Sequence, residues 1–270
     1  SSLQLSARIE NLKLAQRGWQ PALEIHHGKI QIRSGQGELR ILGGAFELVR
    51  SQSFNLPVRM NARGSLKLIR EEDTWRAVTD GFELWDDTLD AVFSAHFHLP
   101  PSGEPQFDVK LTLLEADIAA SRSLIPKDLL HPELTAWLDR SLLGGQVTSA
   151  SIEISSERDG TGYWPMVKAQ MTAIDGRLNY APGWPPVTDA LVRLDYAQGH
   201  LRLRSDDAHI AGAAVRNVVA EIDDIGADEP LLNVRGEAVG SIQQGVKFIE
   251  NSPLAARFKH VLDNVRVAGP

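Results

Sequence analysis

Apolar and polar residues alternate with a period of two along most of this 270-residue chain. Leu89, Ala91, Phe93, Ala95, Phe97 and Leu99 fall on one side of an extended segment, with Asp90, Ser94, His96 and His98 on the other. The pattern recurs in Leu3-Leu5-Ala7-Ile9, Phe107-Val109-Leu111-Leu113, Ala190-Val192-Leu194-Tyr196 and Leu232-Val234-Gly236-Ala238. Shorter pairs, Ile30-Ile32, Leu39-Ile41, Phe46-Leu48, Leu66-Leu68 and Leu201-Leu203, read as further strands separated by polar or glycine turns. Such spacing predicts antiparallel hairpins.

Two segments break the period. From Ser121 to Leu143, the residues Leu129, Leu130, Leu134, Trp137, Leu138 and Leu142 fall at helical spacing, punctuated by Pro126, Pro132, Gly144 and Gly145. From Ser241 to Leu262, Ile242, Val246, Ile249, Leu254, Phe258, Val261 and Leu262 do the same, with Pro253 forcing a break or a new first turn. Short helices are therefore expected near 121–143 and 241–262, each after a group of strands, in the outline of a loose two-fold repeat. Two helical segments of about twenty residues span at most roughly 30 Å each, too little to cover a dozen strands. The apolar side must then meet a second sheet, the same sheet curled back, or an apolar guest. Periodicity leaves these three open.

Composition narrows the function. The length allows one large β domain or two modules. Hydrophobic residues make up 43% and charged residues 23%, which suits a folded protein with a substantial interior. Lys and Arg number 28 against 35 Asp and Glu, a net charge of −7 with the basic residues scattered, so no nucleic-acid partner is expected. Absence of cysteine excludes disulfides, Cys-ligated zinc and thiol nucleophiles. No run reaches the roughly 18 apolar residues of a membrane span; the most apolar, Ile210 to Ala220, is broken by Arg216. The opening Ser1-Ser2, with neither an initiator Met nor a leader, suggests a piece of a longer protein.

Motifs for chemistry are absent: no nucleophile elbow, zinc-protease helix, phosphate loop or EF-hand loop occurs. Gly35-Gln36-Gly37 begins like a dinucleotide fingerprint, but Arg40 and the lack of a following helix make it a turn. His96 and His98, two apart in a strand, could supply two metal ligands; without a third they read as part of a solvated face, and His26-His27 more so. The acid pairs Glu71-Glu72-Asp73, Asp86-Asp87, Asp206-Asp207 and Asp223-Asp224 read as hairpin ends and solubilising loops. We expect no enzyme, no catalytic residue, no metal and no cofactor. Trp164-Pro165 and Trp184-Pro185-Pro186 favour extended backbone at a strand entrance or edge. Their rings would either cap the sheet interior or stand at the rim of an apolar channel.

Three motifs then occur in order. Leu124-Ile125-Pro126-Lys127-Asp128-Leu129-Leu130, with Trp137-Leu138 and Gly144-Gly145-Gln146-Val147, resembles the core of the YhdP-type AsmA-like proteins of Gram-negative envelopes. Tyr180-Ala181-Pro182-Gly183-Trp184-Pro185 is similar to that family's Y-x-P-x-W-P signature, and Phe248 to Leu254 to its F-x-x-x-S-P-L element. The resemblance covers roughly residues 90 to 270. It implies a mainly β fold, an elongated antiparallel sheet curled into a U-shaped groove with an apolar inner surface. Residues 1–120 would form an N-terminal groove segment, and residues 121–270 a core module with a helical insert, continuous with the first. It also implies a periplasmic segment of an inner-membrane-anchored, bridge-like protein that carries phospholipid between inner and outer membrane.

On that reading the groove lining is Ala91, Phe93, Ala95, Phe97, Phe107, Val109, Leu111, Leu113, Val192, Leu194, Leu201, Leu203 and Val234. Trp137, Trp164, Trp184 and Phe258 stand at its rim or end. Partners would be phospholipid acyl chains, neighbouring segments of the same longer chain, and envelope docking proteins. Two other classes are set beside it: a structural or partner-binding β scaffold with a closed dry core, and a carbohydrate-binding surface built on the tryptophans and acid pairs.

Overall fold

The computed structural model describes residues 4–14, 22–33, 36–48, 58–121, 132–159, 162–227 and 229–262. The protein is mainly β. Its strands are β1 (Gln4–Leu14), β2 (Ala22–Arg33), β3 (Gln36–Leu48), β4 (Val58–Glu71), β5 (Thr74–Trp85), β6 (Leu89–Leu99), β7 (Gln106–Asp117), β8 (Leu142–Asp159), β9 (Gly162–Leu178), β10 (Val187–Ala197), β11 (His200–Ile210), β12 (Ala213–Ile222) and β13 (Leu232–Val239). The helices are α1 (Ile118–Ser121), α2 (Pro132–Ser141), α3 (Ile242–Glu250) and α4 (Ala255–Leu262). All thirteen strands form one sheet in chain order, so β1 and β13 are its edges and the sheet is not closed into a barrel. The chain divides into two compact units. The first is Ser1–Ala116, Ser123–Leu130 and Ser149–Gln170; the second is Asp117–Arg122, His131–Thr148 and Met171–Pro270.

Leu39-Ile41 and Phe46-Leu48, expected as two strands across a glycine turn, belong to one strand. The chain does not turn at Gly43-Gly44. Instead the pairing of β3 with β4 jumps from Ile41↔Gly64 to Gly44↔Ala62, a bulge that inserts one extra residue while the ladder continues. The first expected helix ends at Ser141, two residues early, because β8 begins at Leu142; Leu124–Leu130 lies outside the described residues. In the second helical segment Pro253 breaks the run as anticipated, separating α3 from α4. Ser241 and Gln244 form a capping box at the start of α3, each satisfying an otherwise unpaired backbone N–H.

Similar bulges recur in strand after strand, and they correct the reading of alternation. Apolar residues step by three instead of two at Ile9–Leu12, Ile25–Gly28, Ile41–Gly44, Thr79–Phe82 and Leu113–Ala116 in the first unit, and at Ser205–Ala208 and Val215–Val218 in the second. Because side chains in a strand alternate between faces, an odd step would throw every later residue onto the wrong side. One extra residue at each step absorbs the slip. Several of these extra residues, Asn11, Gly81 and Asn217, adopt left-handed backbone with φ of 53°, 86° and 52°, as does Asp189 at 55° in the register shift of β10, a conformation Gly, Asn and Asp tolerate best. The steps of β1, β2 and β3 lie opposite one another, as do those of β11 and β12, while β5 and β7 carry theirs against unbroken β4 and β6, so bulges run as a staggered seam across each unit.

Candidate functional site: the uncharged face of the sheet

Directly paired residues of antiparallel strands point to the same side, so the registers assign each side chain to a face. In the first unit Phe97 pairs with Ala77 and Phe107, Ala95 with Thr79 and Val109, Phe93 with Phe82 and Leu111, and Ala91 with Leu84 and Leu113. The anticipated rows of β6 and β7 therefore stand side by side, with the Phe97 and Phe107 rings 6.2 Å apart at 37°. The same face continues through Leu66, Leu68 and Ala62 of β4 and Leu39 and Ile41 of β3. In the second unit Leu194 pairs with Leu203, Leu203 with Ala220 and Ala220 with Val234, one row across four strands. Tyr196, Leu201, Ile222 and Leu232 form the next row, and Val192 stands opposite Ser205.

Charge is almost absent from this face. In β2–β7 and in β10–β13 its described positions hold no carboxylate and a single guanidinium, Arg70 opposite Trp75 at the end of β4. There Arg70 lies 6.0 Å from the Trp75 ring and its Nε donates to the Glu72 carbonyl at 3.0 Å. Ionised groups crowd the other face: Arg193 with Asp206 at 3.3 Å, Arg204 with Asp195 at 3.2 Å, Arg202 with Glu221 at 3.0 Å and Lys110 with Glu153 at 2.8 Å. The hydrogen bond and charge of Lys110 hold the Glu153 carboxyl below the usual range. His96, on this polar face, places Nε2 2.8 Å from Asp80 Oδ1. A shallow cavity of about 350 Å³ lies beside that pair, lined by charged Asp108, Lys110, Glu153 and Lys168 together with apolar Val109 and Met166. No group of three or more His, Cys, Asp or Glu side chains is placed to hold a metal among the described residues.

Burial on the uncharged face is uneven. Beside the seam it is nearly complete, at Ile25, Ile41, Ala62, Ala91, Ala95 and Ala116 in the first unit and Ala190, Ala208 and Val215 in the second. Among the described residues of both faces, nine of fifteen buried apolar side chains are alanines. The larger side chains stay partly open: Phe93, Phe97, Phe107, Val109, Leu111, Leu113, Val192, Leu194, Leu201 and Leu203 are half-buried. Toward the edges Leu5 is 52% and Val234 63% exposed. Reading the sequence missed Phe82 and Leu84, which share this face. The signal was available in the three-residue step around Gly81, since an isolated glycine within a strand marks a bulge.

Two of the aromatic residues expected at the rim, Trp137 and Trp184, make contacts that hold helices. In the second unit Trp137 of α2 donates its indole N–H to the Tyr180 carbonyl at 3.0 Å. The Tyr180 and Trp184 rings are 6.3 Å apart, and Trp184 lies 5.7 Å from Phe248 of α3. Burial pushes the Tyr180 hydroxyl above its ordinary range. Gly183, at φ 77°, brings its backbone against Pro253. The Y-x-P-x-W-P and F-x-x-x-S-P-L elements thus meet in space and clamp α3 to the loop before β10. Phe258 on α4 is 42% exposed. Trp164 lies in β9, and its side chain is outside the described residues.

Comparison with known proteins adds the lineage. A family model described as "YhdP protein" matches residues 1–270. The chain is 20% identical over 213 residues to the "Intermembrane phospholipid transporter YhdP" of Escherichia coli (strain K12), an alignment covering 73% of this chain and 16% of that relative. No solved structure matches.

Proposed function

From the chain's membership of the YhdP family, whose model it matches from end to end, we propose that it is a non-enzymatic segment of a bridge-like carrier whose uncharged face shelters the acyl chains of phospholipid travelling between two membranes. The observation behind this reading is the pairing of one face almost without charge with large side chains that remain only half-buried. A dry scaffold of opposed sheets would bury its phenylalanines and leucines and leave the alanines unremarkable; here alanines are buried while every described phenylalanine and most leucines of β6, β7, β10 and β11 on this face stay partly open. Bulges bend strands, and close burial of small residues along the seam suits a bend with this face on its inner side.

The energetics favour such a surface. An acyl chain of about sixteen carbons costs on the order of 13 kcal/mol to expose to water, at about 0.8 per methylene. A continuous apolar row removes most of that cost at every step of the path, while the headgroup stays in solvent. In this reading the segment lies in the periplasm, within a longer protein anchored in the inner membrane elsewhere along its length and docked to envelope proteins. No described helix is long and apolar enough to cross a membrane. Neighbouring segments of that protein would continue the sheet, since the alignment covers only 16% of the relative and β13 is exposed along its whole length.

Native mass spectrometry of the purified chain tests the reading, with bound phospholipid expected and a lipid-free spectrum counting against it. A matched pair sharpens the test. Phe97→Glu places a charge on the shielded face, where desolvating it is costly, and should abolish lipid binding. His98→Glu, on the polar face, should leave binding unchanged; equal behaviour of the two folded variants would reject the lining assignment.

A further inference from the structure

Four of the chain's eight phenylalanines lie in two paired rows on β5–β7, on the uncharged face of the first unit. Phe82 of β5 pairs with Phe93 of β6, and Phe97 of β6 with Phe107 of β7. Between these aromatic rows runs a row of small side chains, Thr79, Ala95 and Val109. The equivalent face of β10–β13 contains no phenylalanine or tryptophan and is built from aliphatic residues with Tyr196 and Ser205. The four rings are thus a local feature of β5–β7.

Ala95 is only 2% exposed, and Thr79 6%, although their neighbours Phe93 and Phe97 are half-buried. Residues two apart in a strand are about 6.7 Å from each other, within reach of a phenylalanine ring. The rings flanking Ala95 are the bulkiest groups able to shield it on that face. Rings leaning inward would cover the small-residue row. Swung upright about χ1, rings on Phe93 and Phe97 would stand roughly 13 Å apart at their Cα atoms. After ring thickness is subtracted, that gap passes one hydrocarbon chain but not several side by side.

We infer that Phe82, Phe93, Phe97 and Phe107 form an aromatic constriction that acyl chains pass one at a time, with Phe93 and Phe97 setting its width. This rests on the proposed lipid-carrying role of the face and goes beyond it by locating the slow point. Leucine at these two positions keeps the surface apolar while shortening the side chains, so it should loosen the passage; tryptophan should tighten it.

The test uses vesicles of phosphatidylethanolamine and phosphatidylglycerol containing a diazirine-bearing phosphatidylethanolamine, incubated with the purified chain and irradiated. Cross-linked residues are mapped, and exchange of bound probe against unlabelled vesicles is timed. Wild type should cross-link on both β5–β7 and β10–β13. Phe93→Leu/Phe97→Leu should exchange at least threefold faster and Phe97→Trp at least threefold slower, whereas His98→Ala, exposed on the polar face, should stay within twofold. Cross-linking to the uncharged face with unchanged exchange in both phenylalanine variants overturns the constriction and leaves the carrier reading standing. Absence of cross-links from that face in wild type overturns both. Should the double leucine variant fail to fold, Phe97→Trp decides alone.

Discussion

Thr79 stands in the apolar row of β5, almost wholly buried, and its hydroxyl has no hydrogen-bond partner. An unpaired buried hydroxyl costs free energy that a methyl group of the same shape does not, so Thr79→Val should stabilise the protein by about 1 kcal/mol, read as a raised urea midpoint at constant slope. Gly64 illustrates the opposite constraint. A Cβ there would lie 2.5 Å from Cδ2 of Phe82, so Gly64→Ala should cost about 1–3 kcal/mol through overpacking, and pairing it with Phe82→Leu should recover part of the loss. On the polar face Lys13 hydrogen-bonds Glu24, which also meets Arg59 at 2.8 Å. That bond, first among the causes, holds the Glu24 carboxyl below its ordinary 4.5. A lowered folded value means the contribution is present above about the unfolded pKa and is lost as pH falls through the folded one. The stability gap between wild type and Glu24→Gln should therefore close on acidification, which urea titrations at a series of pH values would show.

Strands and helices are held by two devices, the bulge and the aromatic clamp. Asp175 sits mid-strand in β9 at φ 52° beside buried Ala173 and Gly176. A β-branched residue resists that conformation, so Asp175→Val should destabilise by about 1–2 kcal/mol while Asp175→Gly is neutral or better. Thermal unfolding of the two variants makes the comparison. None of the α3 side chains is fully buried, and the helix depends on Phe248 against Trp184 and on Gln244 Nε2 donating to the Gly212 carbonyl at 2.5 Å. Trp184→Ala should raise hydrogen exchange in residues 242–250 and leave the β10–β12 ladder protected. At this scale alternation made most strands legible, and Phe97 opposite Phe107 follows from two rows that alternation had already marked. Phe82 was hidden because the period slips at Gly81, and a reader counting by two places it on the wrong face.

Across the whole molecule every strand pairs only with its neighbours in sequence, so stability is passed from strand to strand as in a repeat array. Exchange protection should be lowest in β1 and β13 and rise inward, as a hydrogen-exchange time course would reveal. β13 is exposed throughout, with Leu232 and Val234 open to solvent. An exposed apolar edge invites pairing with another chain, so Val234→Lys should reduce self-association of the isolated chain in sedimentation at high concentration.

Alternation of apolar and polar residues by itself determined a one-sided antiparallel sheet and the interrupting helices, because side-chain direction in a strand is a local property with a fixed period. Register, and with it the neighbours of each side chain, was decided only in three dimensions. Cross-strand hydrogen bonds set where each bulge falls, and a one-residue slip exchanges the faces. The burial of Ala95, the gathering of four phenylalanines from three strands, and the clamp of Trp184 on Phe248 all depend on contacts between residues distant in sequence, which no short-range pattern encodes.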